Sequence, residues 1–228
     1  MTVKLKYVSD NPLYDVHTYD VDFDANHIYL MGHDEYAGQE FLDTNEPGVE
    51  FAMANRFIRN LNLLMRKSDE PILIHMKTCG GHWSEGMAIY DAIRSCPNNV
   101  CILNYTHARS MSSIIFQAAD KRVMMPNSTF MFHEGAVSME GTAKQFQTEA
   151  KECKKTSEIM LGVYADSLQE SGKMKEWTRT KIKAWLKNQM DKREEVYLNA
   201  AQAVEHGFAD EIFGEGGEYD WESLLKFE

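Results

Sequence analysis

The stretch from Asn99 to His133 constrains the chain more than any other. Asn99–Tyr105 is an apolar run of strand formers, Ser112–Ala119 is an apolar run of helix length, and strand-like segments follow around Met124 and at Thr129–Phe132, separated by Pro126-Asn127. This order puts Ser110 at a strand-to-helix junction and His133 just beyond the end of a strand. The first turn of a helix has backbone NH groups without intrahelical partners and carries the positive end of the helix dipole. A serine there can stand beside donors suited to an oxyanion. Serine is also a favoured N-cap, so its position alone does not separate cap from nucleophile.

The preceding segment repeats the pattern. Pro71–Met76 is strand-like and runs into Lys77-Thr78-Cys79-Gly80-Gly81-His82, and a helix follows from Ser84 to Ser95, with Met87, Ile89, Tyr90 and Ile93 on its apolar side. A double glycine at such a junction allows a sharp turn and close approach to a ligand. Further upstream, His27–Met31 is a short strand ending at Gly32, and His33–Pro47 is a polar loop. Phe51, Ala54, Phe57, Ile58, Leu61, Leu64 and Met65 then give a helix one apolar face. Residues 1–26 read as an irregular amino-terminal arm.

Downstream, Gly135–Gly141 is a loop, and Phe146, Ala150, Cys153, Met160, Tyr164 and Leu168 mark the longest helix, which stops near Gly172. Ile182, Trp185, Leu186 and Met190 mark a second amphipathic helix. A short helix beginning at Tyr197 and capped by Gly207 leads to a last strand, Glu211–Phe213; the acidic tail 214–228 reads as peripheral. Alternating strands and helices predict an α/β domain with mostly parallel strands, and 228 residues suffice for one domain with a real core.

Composition excludes several function classes. A net charge of -11 argues against a nucleic-acid partner. No apolar run is long enough for a bilayer span, and the start, Met-Thr-Val-Lys-Leu-Lys-Tyr, has no apolar signal core, so neither membrane nor secretion is expected. Cys79, Cys96, Cys101 and Cys153 form no CxxC pair, which fits a reducing cytoplasm. His75, Cys79 and His82 are close enough in sequence to be weighed as metal ligands. They lack an evident fourth partner, and the expectation is no metal and no cofactor.

If neighbouring strand ends share one edge of the sheet, Gly80-Gly81, Ser110-Met111 and His133 face one cleft. Acyl transfer needs those parts: a hydroxyl nucleophile, an imidazole to take its proton, and NH groups where negative charge develops. A carboxylate to orient the histidine is still missing.

Together these segments resemble the ClpP family, the proteolytic subunits of the Clp protease. Gly80-Gly81 with Gly86-Met87-Ala88-Ile89-Tyr90-Asp91 matches one family motif, and Ala108-x-Ser110-Met111 matches the nucleophile motif. Pro126-Asn127-Ser128 with Met131-x-His133 matches the histidine motif, and Ala203-Val204-Glu205-x-Gly207-x-x-Asp210 the carboxy-terminal one. The resemblance implies a ClpP/crotonase-like spiral of ββα units in a single domain over 1–228, with a protruding handle helix at 144–171. It makes Ser110 the nucleophile, His133 the general base, and the NH groups of Gly81 and Met111 the oxyanion donors. The triad acid falls on Glu195, two residues before the aromatic Tyr197, with Asp191 and Glu194 as alternatives. It also implies a cytoplasmic serine endopeptidase acting on unfolded polypeptides inside a homo-oligomeric chamber of heptameric rings, stacked as a tetradecamer and fed by an AAA+ Clp ATPase.

The chain departs from the family pattern at several positions. Arg109 stands where a small residue is usual, Ser112 replaces a glycine, Cys79 stands at a proline position, and Glu134-Gly135 replaces Gln-Pro. The segments 33–47 and 172–190 are insertions, and Leu73 and His75 stand where tyrosines are common in the ATPase-docking strand. Two other readings are carried forward: a crotonase-like acyl-CoA enzyme, and a catalytically impaired structural subunit of a ClpP-like or viral assembly.

Overall fold

The computed structural model describes residues 10–32 and 48–227. The loop expected at His33–Pro47 and the first part of the amino-terminal arm lie outside the described residues. The rest of the arm is regular where an irregular segment was expected. Pro12–Tyr19 is helix α1, started by the Asn11 side chain, which accepts from the NH of Tyr14, and by a proline in the first turn. It leads to β1 (Val21–Asp22), antiparallel to β2 (His27–Met31). Eight helical residues without a buried side chain leave no apolar stripe to read from sequence.

From β2 the chain alternates as expected: α2 (Phe51–Lys67), β3 (Ile72–Thr78), α3 (Trp83–Arg94), β4 (Val100–Arg109), α4 (Met111–Phe116), β5 (Lys121–Met124) and β6 (Thr129–Phe132). Parallel pairing runs β2-β3-β4-β5-β8, where β8 is Glu211–Ile212. The apolar positions of α2 that face the sheet are Ala54, Phe57, Leu61 and Leu64, all buried.

β4 is longer than its apolar run predicts, and the extension positions the site. Its first half, through Asn104, lies between β3 and β5. Past Tyr105-Thr106 it leaves β5 and pairs in parallel with β6, His107 opposite Thr129 and Arg109 opposite Met131. The register against β3 shifts between Met76 and Thr78 at the same level, the local irregularity by which a strand re-aims its end.

β6 pairs on its other side with β7 (Val196–Asn199), antiparallel. This corrects the expectation of a helix beginning at Tyr197: the residues alternate buried and exposed, Val196 and Leu198 inward, Tyr197 and Asn199 outward. The helix is α7 (Ala200–His206), opened by an Asn199–Gln202 capping box and closed by Gly207 in the left-handed region.

The long helix is α5 (Ala143–Glu170), 28 residues and so about 42 Å long. Its amino-terminal half stands in solvent, and its buried residues begin at Met160. α6 (Arg179–Arg193) lies alongside, burying Ile182, Leu186 and Met190.

The main core lies between the helices and one face of the sheet. A smaller cluster forms on the other face from Leu73, Cys101, Leu103, Val123 and Phe213, closed by Leu224. The carboxy-terminal segment is therefore not peripheral: a 3-10 turn at Trp221–Leu225 buries Leu224 completely, and Lys121 donates to the Ser223 carbonyl. The acidic composition of 214–228 hides this one apolar anchor. Among the described residues no helix is long and apolar enough to cross a membrane.

Candidate active site

Ser110 joins β4 to α4 with φ 54° and ψ -127°, a conformation that L-residues other than glycine adopt rarely and at a cost. Its side chain makes no capping bond to the helix. The hydroxyl lies instead 2.8 Å from His133 Nε2. Neighbouring serines hold the turn: the Ser112 oxygen accepts from the NH of Arg109 at 2.9 Å, and Ser113 donates to the Ser110 carbonyl at 2.6 Å and meets the buried Tyr164 hydroxyl at 2.7 Å. A glycine in place of Ser112 would offer no such brace.

The double glycine lies directly against this turn. Gly80 has φ +98°, and a Cβ there would come within 2.8 Å of Ser110 Cβ and 2.6 Å of the Arg109 carbonyl oxygen. Gly81, at φ +154°, pairs with Val49, and a Cβ would strike the Val49 backbone. Both positions therefore require glycine. A Cβ on Gly80 would also come within 2.9 Å of the nitrogen of the first helical residue, Met111, and Gly81 and Met111 line the same cleft.

His133 follows β6 directly. In the β6–β7 ladder Met131 stands opposite Tyr197 and Phe132 opposite Val196, so the next positions along the two chains are His133 and Glu195. Glu195 Oε1 lies 4.0 Å from His133 Nδ1, and Glu195 Oε2 accepts a 2.8 Å hydrogen bond from the Tyr197 hydroxyl. Glu194, at φ 60°, makes the turn out of α6 that brings Glu195 to this edge. Of the three acids considered, Glu195 is the one whose carboxylate lies against His133, at 4.0 Å. Glu194 acts on the ring through its charge, and Asp191 remains on α6.

Burial holds the His133 imidazole below its ordinary pKa; the Glu195 charge opposes that shift, Arg109 adds to it, and Glu194 opposes it again. The ring is thus biased toward the neutral form that can accept a proton. A cleft of about 670 Å³ opens at the serine. Its apolar floor includes Met111, Ile114 and Met160, and α5 contributes Glu149, Glu152 and Cys153 to one wall.

The residues weighed as metal ligands do not gather. His75 Nδ1 lies 2.9 Å from the Tyr105 hydroxyl, and its Nε2 lies 3.1 Å from His27 Nδ1, on the other side of the sheet from the main core. Among the described residues no group of three or more His, Cys, Asp or Glu could hold a metal ion. Two contributors went unread in the sequence. Tyr197 was legible in principle, since residues two apart on a strand share a face; the Ser113–Tyr164 contact joins residues too far apart in sequence to be paired by inspection.

Comparison with known proteins gives a consistent picture. Residues 44–216 match the family model described as Clp protease. The chain is 29% identical over 167 residues to ATP-dependent Clp protease proteolytic subunit 2 of Pseudomonas aeruginosa, covering 72% of this chain and 77% of the relative. It is 32% identical over 119 residues to the ATP-dependent Clp protease proteolytic subunit of Deinococcus radiodurans, covering 51% and 58%. With the corresponding subunit of Paracoccus denitrificans it shares 25% identity over 162 residues, covering 70% and 75%.

Proposed function

The chain belongs to the Clp protease family, and from that membership we propose that it is a ClpP-type serine endopeptidase, one domain over residues 1–228, using Ser110, His133 and Glu195. The observation that carries this reading is the 2.8 Å contact between His133 Nε2 and the hydroxyl of a serine held in a strained strand-to-helix turn. A serine acting as a cap would turn its oxygen to the helix.

In this mechanism the Ser110 oxygen bonds to the carbonyl carbon of the scissile peptide while its proton passes to His133 Nε2. The carbonyl oxygen takes the negative charge and is met by the NH groups of Gly81 and Met111. Collapse breaks the C–N bond, and His133 returns the proton to the leaving amine. Water then repeats the sequence on the acyl-enzyme, releasing the acid and restoring Ser110. Glu195 orients the ring and stabilises the imidazolium at each proton transfer.

The family resemblance supports a cytoplasmic homo-oligomer of heptameric rings, stacked as a tetradecamer, acting on unfolded polypeptides. The names of the relatives, ATP-dependent proteolytic subunits, support an AAA+ Clp ATPase as partner. The solvated half of α5 gives such an assembly a surface to use. A second reading, a catalytically impaired structural subunit, is favoured by the 4.0 Å separation of Glu195 from His133, which exceeds a hydrogen bond.

Labelling with a fluorophosphonate probe, followed by peptide mapping, separates the two. The peptidase reading expects modification at Ser110, lost in Ser110→Ala and slowed in Glu195→Ala. A folded, assembled protein that takes no label is the structural subunit.

A further inference from the structure

Three register-matched residues cross the strands beneath the candidate triad. Arg109 on β4 stands opposite Met131 on β6, and Met131 stands opposite Tyr197 on β7. Paired positions project to the same face of a sheet, as do residues two apart on one strand. Arg109, Tyr197, Glu195 and His133 are thereby brought to one face. Tyr197 is half exposed and contributes little to the core, yet its hydroxyl is engaged, donating to Glu195 Oε2 at 2.8 Å, with the Arg109 charge acting on it from β4.

The two carboxylate oxygens of Glu195 are therefore divided. Oε2 is held by Tyr197, and Oε1 is directed at His133 Nδ1. A glutamate has one more rotatable bond than an aspartate, and on an exposed strand end that bond sweeps the carboxylate through solvent unless something fixes it. We infer that Tyr197 is a positioning residue that tethers the Glu195 carboxylate toward His133. This rests on the triad assignment of the preceding section. The arrangement does not require Tyr197 to touch substrate. It acts through Glu195.

The decisive measurement is an NMR titration of the His133 ring in wild type, Tyr197→Phe, Glu195→Gln and the double variant, with peptide hydrolysis followed on the same samples. Glu195 raises the His133 pKa against burial and Arg109. Releasing the carboxylate from its tether removes that support, so Tyr197→Phe should lower the titration midpoint in the same direction as Glu195→Gln. In the Glu195→Gln background it should lower it no further. In the active enzyme kcat should fall about tenfold with KM unchanged, the pattern of a lost transition-state interaction.

A Tyr197→Phe titration superimposed on wild type overturns the tether. So does a shift that persists undiminished when Glu195 is already glutamine, since Tyr197 would then act on the ring directly. The titration reads the tether whether or not the protein turns over. Absence of hydrolysis in wild type would count against the peptidase reading alone. Tyr197→Phe removes one half-exposed oxygen, so the fold is expected to survive; its thermal transition checks that.

Discussion

Arg122 and Asp210 form a two-pronged ion pair across the sheet, Nη2 to Oδ1 at 2.6 Å and Nε to Oδ2 at 3.0 Å, with the arginine side chain 4% exposed. Asp210 also accepts from the Arg122 backbone NH, and the remaining guanidinium bonds go to Gln117, Gly207 and Ser171. One side chain thus ties β5 to the segment after α7 and to the end of α5.

Removing one partner of such a pair strands the other charge in the interior. Asp210→Ala is therefore expected to cost about 3–5 kcal/mol, read as a lower midpoint in urea denaturation with the slope unchanged. A loss below about 1 kcal/mol would mean that solvent reaches the guanidinium.

Gly80→Ala should be far more damaging than an added methyl group suggests. The position has positive φ, and the new Cβ would meet Ser110 Cβ, the Arg109 carbonyl oxygen and the Met111 nitrogen inside 3.0 Å. The expected result is a loss of stability of more than about 1 kcal/mol, with probe labelling of Ser110 reduced at least about tenfold because the nucleophile's turn must move. Thermal melting and labelling rates check both parts.

The pH profile of hydrolysis follows from the His133 environment. A general base must be neutral to accept the serine proton, and burial lowers the imidazole pKa. The acid limb of kcat/KM should therefore lie below the ordinary imidazole value of about 6.5. Glu195→Gln removes the main influence opposing that shift, so the limb should move lower still while kcat falls. A limb above 6.5 in wild type would contradict the assigned base.

A second histidine governs stability toward acid. His75 is pushed down to about 4, mainly by burial, then by the His27 ring, with the Asp22 charge opposing. It is also enclosed by Tyr29, Tyr105 and Trp221. Between pH 6.5 and 4 the unfolded chain binds a proton at this site and the folded chain does not. Stability is thus fully present above 6.5 and is lost as pH falls through that window, by about 3 kcal/mol in all. His75→Gln should lose less stability over the same window when urea midpoints are compared.

Much of this was legible in the sequence, because apolar runs and turn residues report on local structure. Thr129–Phe132 and His27–Met31 are strands with the ends their composition suggests, and Ser110 and His133 emerge from strand ends as expected. Where the reading fell short, the cause was tertiary. The polar extension of β4 through His107 is a strand because β6 lies beside it. Val196–Asn199 is too short to declare itself, and its alternation was masked by the helix that follows. Leu224 was lost in acidic surroundings. Glu195 could be singled out by resemblance, but only the β6–β7 register explains why that acid faces the histidine.

The long helix has a mechanical consequence. α5 is tied down from Ser157 and Glu158 onward, through Glu134, Lys183 and Lys187, so the stretch from Ala143 to Thr156 is a cantilever about 20 Å long. A tilt of about 5° at the root displaces the free tip by about 2 Å. Glu149, Glu152 and Cys153 lie on this arm and form a wall of the serine's cleft. Load applied at the tip is therefore geared directly to the width of the cleft.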